Sequence, residues 1–200
     1  MMKVVLASGN RGKLGELQTL LAPLGLTLLS QAELDIAGAA ETGTTFVENA
    51  ILKARHVCEL SGQASIADDS GLVVTALNGE PGVYSARFAG PDANDTANNR
   101  KLLATMTNVA ERRAYFFCCM VYMRSASDPA PIVAYGSWQG EILTAEQGSG
   151  GFGYDPIFLD SASNMSAAEL PADMKNKVSH RGKAAAVLLE NLRKELANVA

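Results

Sequence analysis

Short β-type runs alternate with amphipathic helical stretches at the start of the chain, whereas two long β-type runs further on are separated only by a proline-rich turn. Helical crossovers make neighbouring strands parallel and tight turns make them antiparallel, so both patterns in one chain predict an α/β fold with a mixed sheet flanked by helices. Residues 3–8 form the first β-type run, and Asn10 can cap the helix that follows. Leu14, Leu17, Leu21 and Leu24 make its apolar stripe, and Pro23 and Gly25 end it ahead of a short strand at 26–30. Thr45-Phe46-Val47-Glu48 is a capping box. It opens a helix that buries Val47, Ala50, Ile51, Ala54, Val57 and Cys58, with Asn49 and Lys53 four apart on a different face. A strand at 64–68 is expected to stop at Asp68-Asp69-Ser70-Gly71, with a second at 72–77 ending on the Asn78-Gly79 turn. A helix at 96–106, an antiparallel hairpin of strands 114–124 and 132–138, and a closing helix at 181–197 with Ala184, Leu188, Leu192 and Leu196 inward complete the reading.

Composition narrows what such a fold can do. At 200 residues the chain suits one large domain, or one core with a small second lobe. No apolar run approaches the roughly 20 residues that cross a bilayer. Residues 1–8 are too short, and too soon followed by polar residues, for a secretory signal, so an intracellular protein is expected. The three cysteines have no framework spacing. Cys118 and Cys119, adjacent on a strand, would face opposite ways, and all three read as small buried hydrophobes. A net charge of −4 opposes nucleic-acid coating or membrane-surface binding, both of which need a broad basic field. A small anionic ligand would instead be held by local cations, backbone N–H groups or a metal.

Five polar or glycine-rich segments break the structural pattern. Ser8-Gly9-Asn10-Arg11-Gly12-Lys13 can present N–H groups and a helix N-terminus to an anion; read by itself it is equally a strand-to-helix turn. It is not a Walker A loop, because the spacing differs and no Ser or Thr follows the lysine. Glu41, ahead of the capped helix, and Lys53 within it are by default surface groups. Asp68 and Asp69, adjacent at the end of an apolar strand, repel each other without a cation, and hard oxygens of this kind suit Mg²⁺. The stretch 148–156 contains a G-x-G-x-x-G string, but Pro156 forbids a helix there and removes the dinucleotide reading. It leaves a loop whose Phe152 and Tyr154 rings can stack on a base and whose Asp155 can accept hydrogen bonds, or else a plain glycine-rich hairpin. Lys175, His180 and Arg181 can clamp phosphate or base carbonyl oxygens.

Taken in order, Ser8-Gly9-Asn10-x-x-Lys13, Glu41-Thr42-Gly43-x-Thr45-Phe46-x-Glu48-Asn49-Ala50, Ala67-Asp68-Asp69-Ser70-Gly71-Leu72, Pro81-Gly82-x-Tyr84-Ser85-Ala86-Arg87, Gly151-Phe152-Gly153-Tyr154-Asp155-Pro156 and Ser179-His180-Arg181 run from the first strand to the last helix. This series resembles the inosine/xanthosine triphosphate pyrophosphatase family, of Ham1/RdgB type, in its bacterial branch. The resemblance implies a single domain over 1–200, with a long mixed sheet and two lobes around a central cleft. It implies a cytoplasmic, Mg²⁺-dependent homodimer that hydrolyses dITP, ITP and XTP to the monophosphate and pyrophosphate, keeping deaminated purines out of DNA and RNA.

By the same resemblance Ser8, Gly9, Asn10, Arg11, Gly12 and Lys13 hold the triphosphate, with Lys13 and Lys53 as counter-charges. Glu41 and Asp69 serve the metal with Asp68 nearby, Asp69, Lys53 and Asp68 make up the catalytic group in which Asp69 orients or deprotonates the attacking water, and Ser70 contacts substrate. Phe152, Gly153, Tyr154, Asp155, Lys175, His180 and Arg181 form the base pocket. Two positions depart from the family: Ser8 stands where many relatives have threonine, and Ala40 where a second acid is frequent. The related Maf-type pyrophosphatases are the nearest alternative, and the Phe-Gly-Tyr-Asp and Ser-His-Arg segments separate them from a purine enzyme. A nucleotide sensor without catalysis would be expected to lack at least one of Glu41, Lys53, Asp68 and Asp69.

Overall fold

β1 (Lys3–Leu6) is apolar and buried beyond its first residue, and it runs parallel to β2 (Thr27–Ser30) on one side and β3 (Ala64–Val74) on the other. Val5 lies opposite Leu29 in the first pair and opposite Ser65 in the second. The crossovers that parallel neighbours require are supplied by α1 (Arg11–Leu21) and α2 (Phe46–Ser61). β4 (Arg113–Met123), β5 (Ile132–Ile142), β6 (Phe158–Asp160) and β7 (Met165–Ser166) complete a seven-stranded sheet of order β2-β1-β3-β4-β5-β6-β7. The β5–β6 and β6–β7 pairs are antiparallel, so the sheet is mixed. Helices flank it, the others being α3 (Asp95–Thr105), α4 (Ala172–Val178) and α5 (His180–Val199). The computed structural model describes residues 3–8 and 11–199, without the side chains at 11–13, 16, 20, 23, 196, 198 and 199. The expected cap Asn10 and the inward-facing side chain of Leu196 thus lie outside the described residues.

Two compact units are distinguished: residues 1–69, 118–136 and 181–200 in the first, and 70–117 and 137–180 in the second. Each has its own core. In the first, Leu17 and Leu21 of α1 pack with Val4, Leu6, Ile66, Met120, Leu188 and Leu192. In the second, Leu102, Phe116, Trp138, Ile157 and Phe158 form the corresponding cluster. No described helix is long and apolar enough to cross a membrane.

One expectation is corrected. The strands expected at 64–68 and 72–77 are a single strand, β3, which passes straight through Asp68-Asp69-Ser70-Gly71 to Val74. Two acids and a glycine look like a break, but here each acid has a cation beside it, so the strand need not end. Residues Thr75–Leu77 form a 3-10 turn instead, and Asn78 follows at φ 53°. β6, β7 and α4 had no anticipated counterpart.

Candidate active site

The capping box of α2 forms as expected. Glu48 N donates to Thr45 Oγ1 at 3.3 Å, and Thr45 N donates to Glu48 Oε2 at 2.9 Å. This fixes the helix start, and with it the direction in which the side chains of Asn49 and Lys53, one turn apart, project. Lys53 Nζ lies 2.7 Å from Asp69 Oδ1 and 3.1 Å from Glu41 Oε1. One ammonium therefore spans the two carboxylates assigned by resemblance to the metal. Asn49, with no exposed surface, donates to Asp69 Oδ2 at 3.4 Å and accepts from Gly43 N at 2.8 Å. A Cβ at Gly43 would stand 2.6 Å from Glu48 Cβ and 2.8 Å from Asn49 Oδ1, so only glycine lets this loop close on the helix. Sequence reading set Asn49 beside Lys53 in a candidate segment but gave it no role. Its signal was an amide one turn before Lys53.

Asp68 and Asp69 do not form a dyad. Successive side chains on a strand point to opposite faces, and the two carboxylates meet different cations. Asp68, 1% exposed, has Oδ2 at 3.9 Å from Arg181 Nε, whereas Asp69, 7% exposed, meets Lys53. The repulsion that suggested a metal is thus offset by two basic side chains. Burial pushes the Asp69 carboxyl up from its usual range, against the charge and hydrogen bond of Lys53. Burial also opposes the charged form of Lys53, but Asp69, Asp68 and Glu41 together outweigh it and raise the ammonium. Both groups hold their protons more tightly than in water, which makes ionised Asp69 a better base than an exposed aspartate. Cys119 is pushed up to about 12, first by burial and then by Asp69 and Asp68, which leaves an inert thiol.

Among the described residues, no three His, Cys, Asp or Glu side chains converge as a metal cage. Glu41 and Asp69 still fit a hard divalent cation, because Mg²⁺ takes one or two carboxylates and fills its shell with water and phosphate oxygens. Ser8 N donates to Leu6 O at 2.9 Å just past β1. Gly9 and Asn10 lie outside the described residues, as do the side chains at 11–13. Ser70 is half-buried within β3.

In the second unit the glycine-rich stretch is a stapled turn, not an open hairpin. Gly148, Gly151 and Gly153 all have positive φ. A Cβ at Gly151 would collide with the Asp155 carboxylate, which turns back to accept from Phe152 N at 2.7 Å. Lys175 pairs with Asp155, and its Nζ lies 5.0 Å from the centroid of the Phe152 ring. Phe152 is 47% exposed, whereas Tyr154 is buried and donates its hydroxyl to Ser85 O at 2.8 Å. Only the first ring is therefore placed to stack on a ligand. The His180 ring stacks on Phe116, with centroids 4.8 Å apart and planes at 12°.

The chain is similar to proteins of one kind over nearly its whole length. The model of the Ham1 family matches residues 4–191. A dITP/XTP pyrophosphatase of Pectobacterium atrosepticum is 55% identical over 195 residues, covering 96% of this chain and 99% of that protein. One from Escherichia coli K12 is 52% identical with the same coverage. Among solved structures, a HAM1 protein from Coxiella burnetii superimposes with a TM-score of 0.93 at 44% identity, covering 97% of this chain and all of that one. The Staphylococcus aureus Ham1 protein gives 0.89 at 39% identity, with 96% and 99% covered.

Proposed function

Since this chain belongs to the Ham1 family, we propose that it is a pyrophosphohydrolase that cleaves dITP, ITP and XTP to the nucleoside monophosphate and pyrophosphate. The observation that carries the chemistry is the partly buried Glu41–Lys53–Asp69 cluster. Asp69 orients a water and takes its proton as the water oxygen attacks the α-phosphorus. The bond from that phosphorus to the bridging oxygen breaks, and pyrophosphate leaves with the electron pair. Lys53 offsets phosphate charge, joined by Lys13 and the N–H groups of the Ser8–Lys13 loop. Asp68 stays beside Arg181 and keeps the strand in place. Mg²⁺, held through Glu41 and Asp69, would supply further charge neutralisation at the phosphate oxygens.

For the base, Phe152 offers its exposed ring, and Lys175, His180 and Arg181 are the donors suited to a 6-oxo group. An amino group at that position would present donors to donors and gain no hydrogen bond from them. The same reading carries a cytoplasmic homodimer, with residues 1–200 as one catalytic domain. The deciding experiment is product analysis with dITP, XTP, dGTP and ATP, each with and without Mg²⁺. Metal-dependent pyrophosphate release from dITP and XTP, with little from the other two, is expected. Equal turnover of all four, or orthophosphate as the direct product, would overturn the assignment.

A further inference from the structure

We propose that Asp95 and Asn99 of α3 are positioning residues for base selection: they lock the backbone that carries Phe152, and so govern which purines are accepted. The inference rests on the nucleotide reading above and extends it to residues outside the expected site.

Gly153 donates its N–H to Asp95 Oδ2 at 2.7 Å, and its carbonyl accepts from Asn99 Nδ2 at 3.0 Å. Those two groups belong to the peptide planes on either side of Gly153, so both planes that join Phe152 to Tyr154 are fixed by one helix. Asp95 and Asn99 are four apart and share a face of α3. Gly153 sits at φ 62°, a conformation that needs outside support in any other residue and costs glycine most in entropy. Asn99 is 3% exposed, and its Oδ1 has no hydrogen-bond partner among the described residues. An apolar side chain would fill that position without an orphaned acceptor, so the amide is distinguished by the bond it donates to Gly153.

The clamp closes into a ring. Asn98, next along α3, donates to Ala86 O at 3.1 Å and accepts from Ala89 N at 2.8 Å. That holds the 3-10 segment Gly82–Arg87, whose Ser85 carbonyl receives the Tyr154 hydroxyl. Ser85 Oγ in turn accepts from Leu72 N at 2.9 Å on β3. The loop that presents Phe152 is thus held at consecutive residues, 153 and 154, by α3 and by a segment α3 itself anchors. A ring so held fixes the plane of the purine against the donors that read its 6-position, whereas a mobile one would not.

The test compares wild type with Asn99→Leu, which keeps the branched outline of the side chain and removes its donor, and Asp95→Ala, an exposed change that leaves the core untouched. For each, KM and kcat are measured with dITP, XTP and dATP, together with inhibition by pyrophosphate, which reads the phosphate subsite alone. Expected is a roughly tenfold rise in KM for dITP and XTP, with kcat within about threefold and a reduced preference over dATP. Pyrophosphate inhibition should be unchanged, and Asp95→Asn should recover part of the loss. Unaltered KM and preference in Asp95→Ala would overturn the inference while leaving the enzyme assignment intact. A parallel fall in kcat and weakening of pyrophosphate inhibition would also overturn it, by showing a merely structural role. Wild-type protein inert toward dITP and XTP would remove both.

Discussion

At the scale of single residues, the site turns on which atoms of Asp69 are engaged. One oxygen meets Lys53 and the other Asn49, so the carboxylate cannot rotate without losing a partner. Asp69→Asn should fold as wild type by circular dichroism and lose at least about 10³-fold in kcat, since it removes both base and charge. Near wild-type turnover in that variant would sink the role. Asn49→Ala should cost about tenfold in kcat with the fold retained, through a misplaced carboxylate rather than a missing one. The sequence made the types of these residues legible but not their pairing. Asp68 and Asp69 read as a dyad because adjacency in sequence is visible, whereas the alternation that parts them depends on the strand continuing. Asn49 was given no role because an amide inside a helix ordinarily faces water, and its buried acceptor lies twenty residues away.

At the scale of elements, periodic segments were legible and short ones were not. α2 announced itself through its capping box and its stripe. β6 and β7, of three and two residues, carry no period and exist only because β5 offers them an edge. Gly140 of β5 is the close point of that edge, where a Cβ would meet the Leu159 carbonyl and the Phe158 ring. Gly140→Ala should destabilise the protein by about 2 kcal/mol through overpacking, seen as a lowered denaturant midpoint with unchanged slope. The turn between β4 and β5 is held by buried Asp128, which accepts from Arg124 Nε at 2.9 Å, from Arg124 Nη2 at 2.8 Å and from the backbone N–H groups of Arg124 and Ala130. The Arg124 hydrogen bond, foremost, lowers its carboxyl from 3.8 to about 2. A depressed acid stabilises the fold above its unfolded value, and the contribution fades as pH falls from 3.8 through about 2. Asp128→Ala should therefore lower stability by about 2 kcal/mol at neutral pH, and the gap from wild type should narrow in acid melts over that window.

For the molecule as a whole, the mixed sheet was legible because crossovers and turns leave different spacing in a sequence. The division of the core was not, since β3, β4 and β5 each contribute to both clusters and no linker marks a boundary. Glu41, Lys53 and Asp69 already satisfy one another, so the fold is expected to hold without a metal. Chelation by EDTA should abolish turnover while moving the melting temperature by no more than a degree or two, whereas a structural metal would carry far more.

Because β3 holds Asp69, the proposed base, on one face and Asp68 on the other, the phase of that strand is by that proposal a catalytic parameter. Its register is tied to β1 by Val4 opposite Ala64 and Leu6 opposite Ile66. Deleting one residue between that pairing and Asp68 would invert the alternation downstream. Lys53 would then face a different side chain, with the small buried Ala67 the one hydrophobic residue removed. Such a protein could retain much of its sheet and still be inert, because what it lost would be parity and not composition.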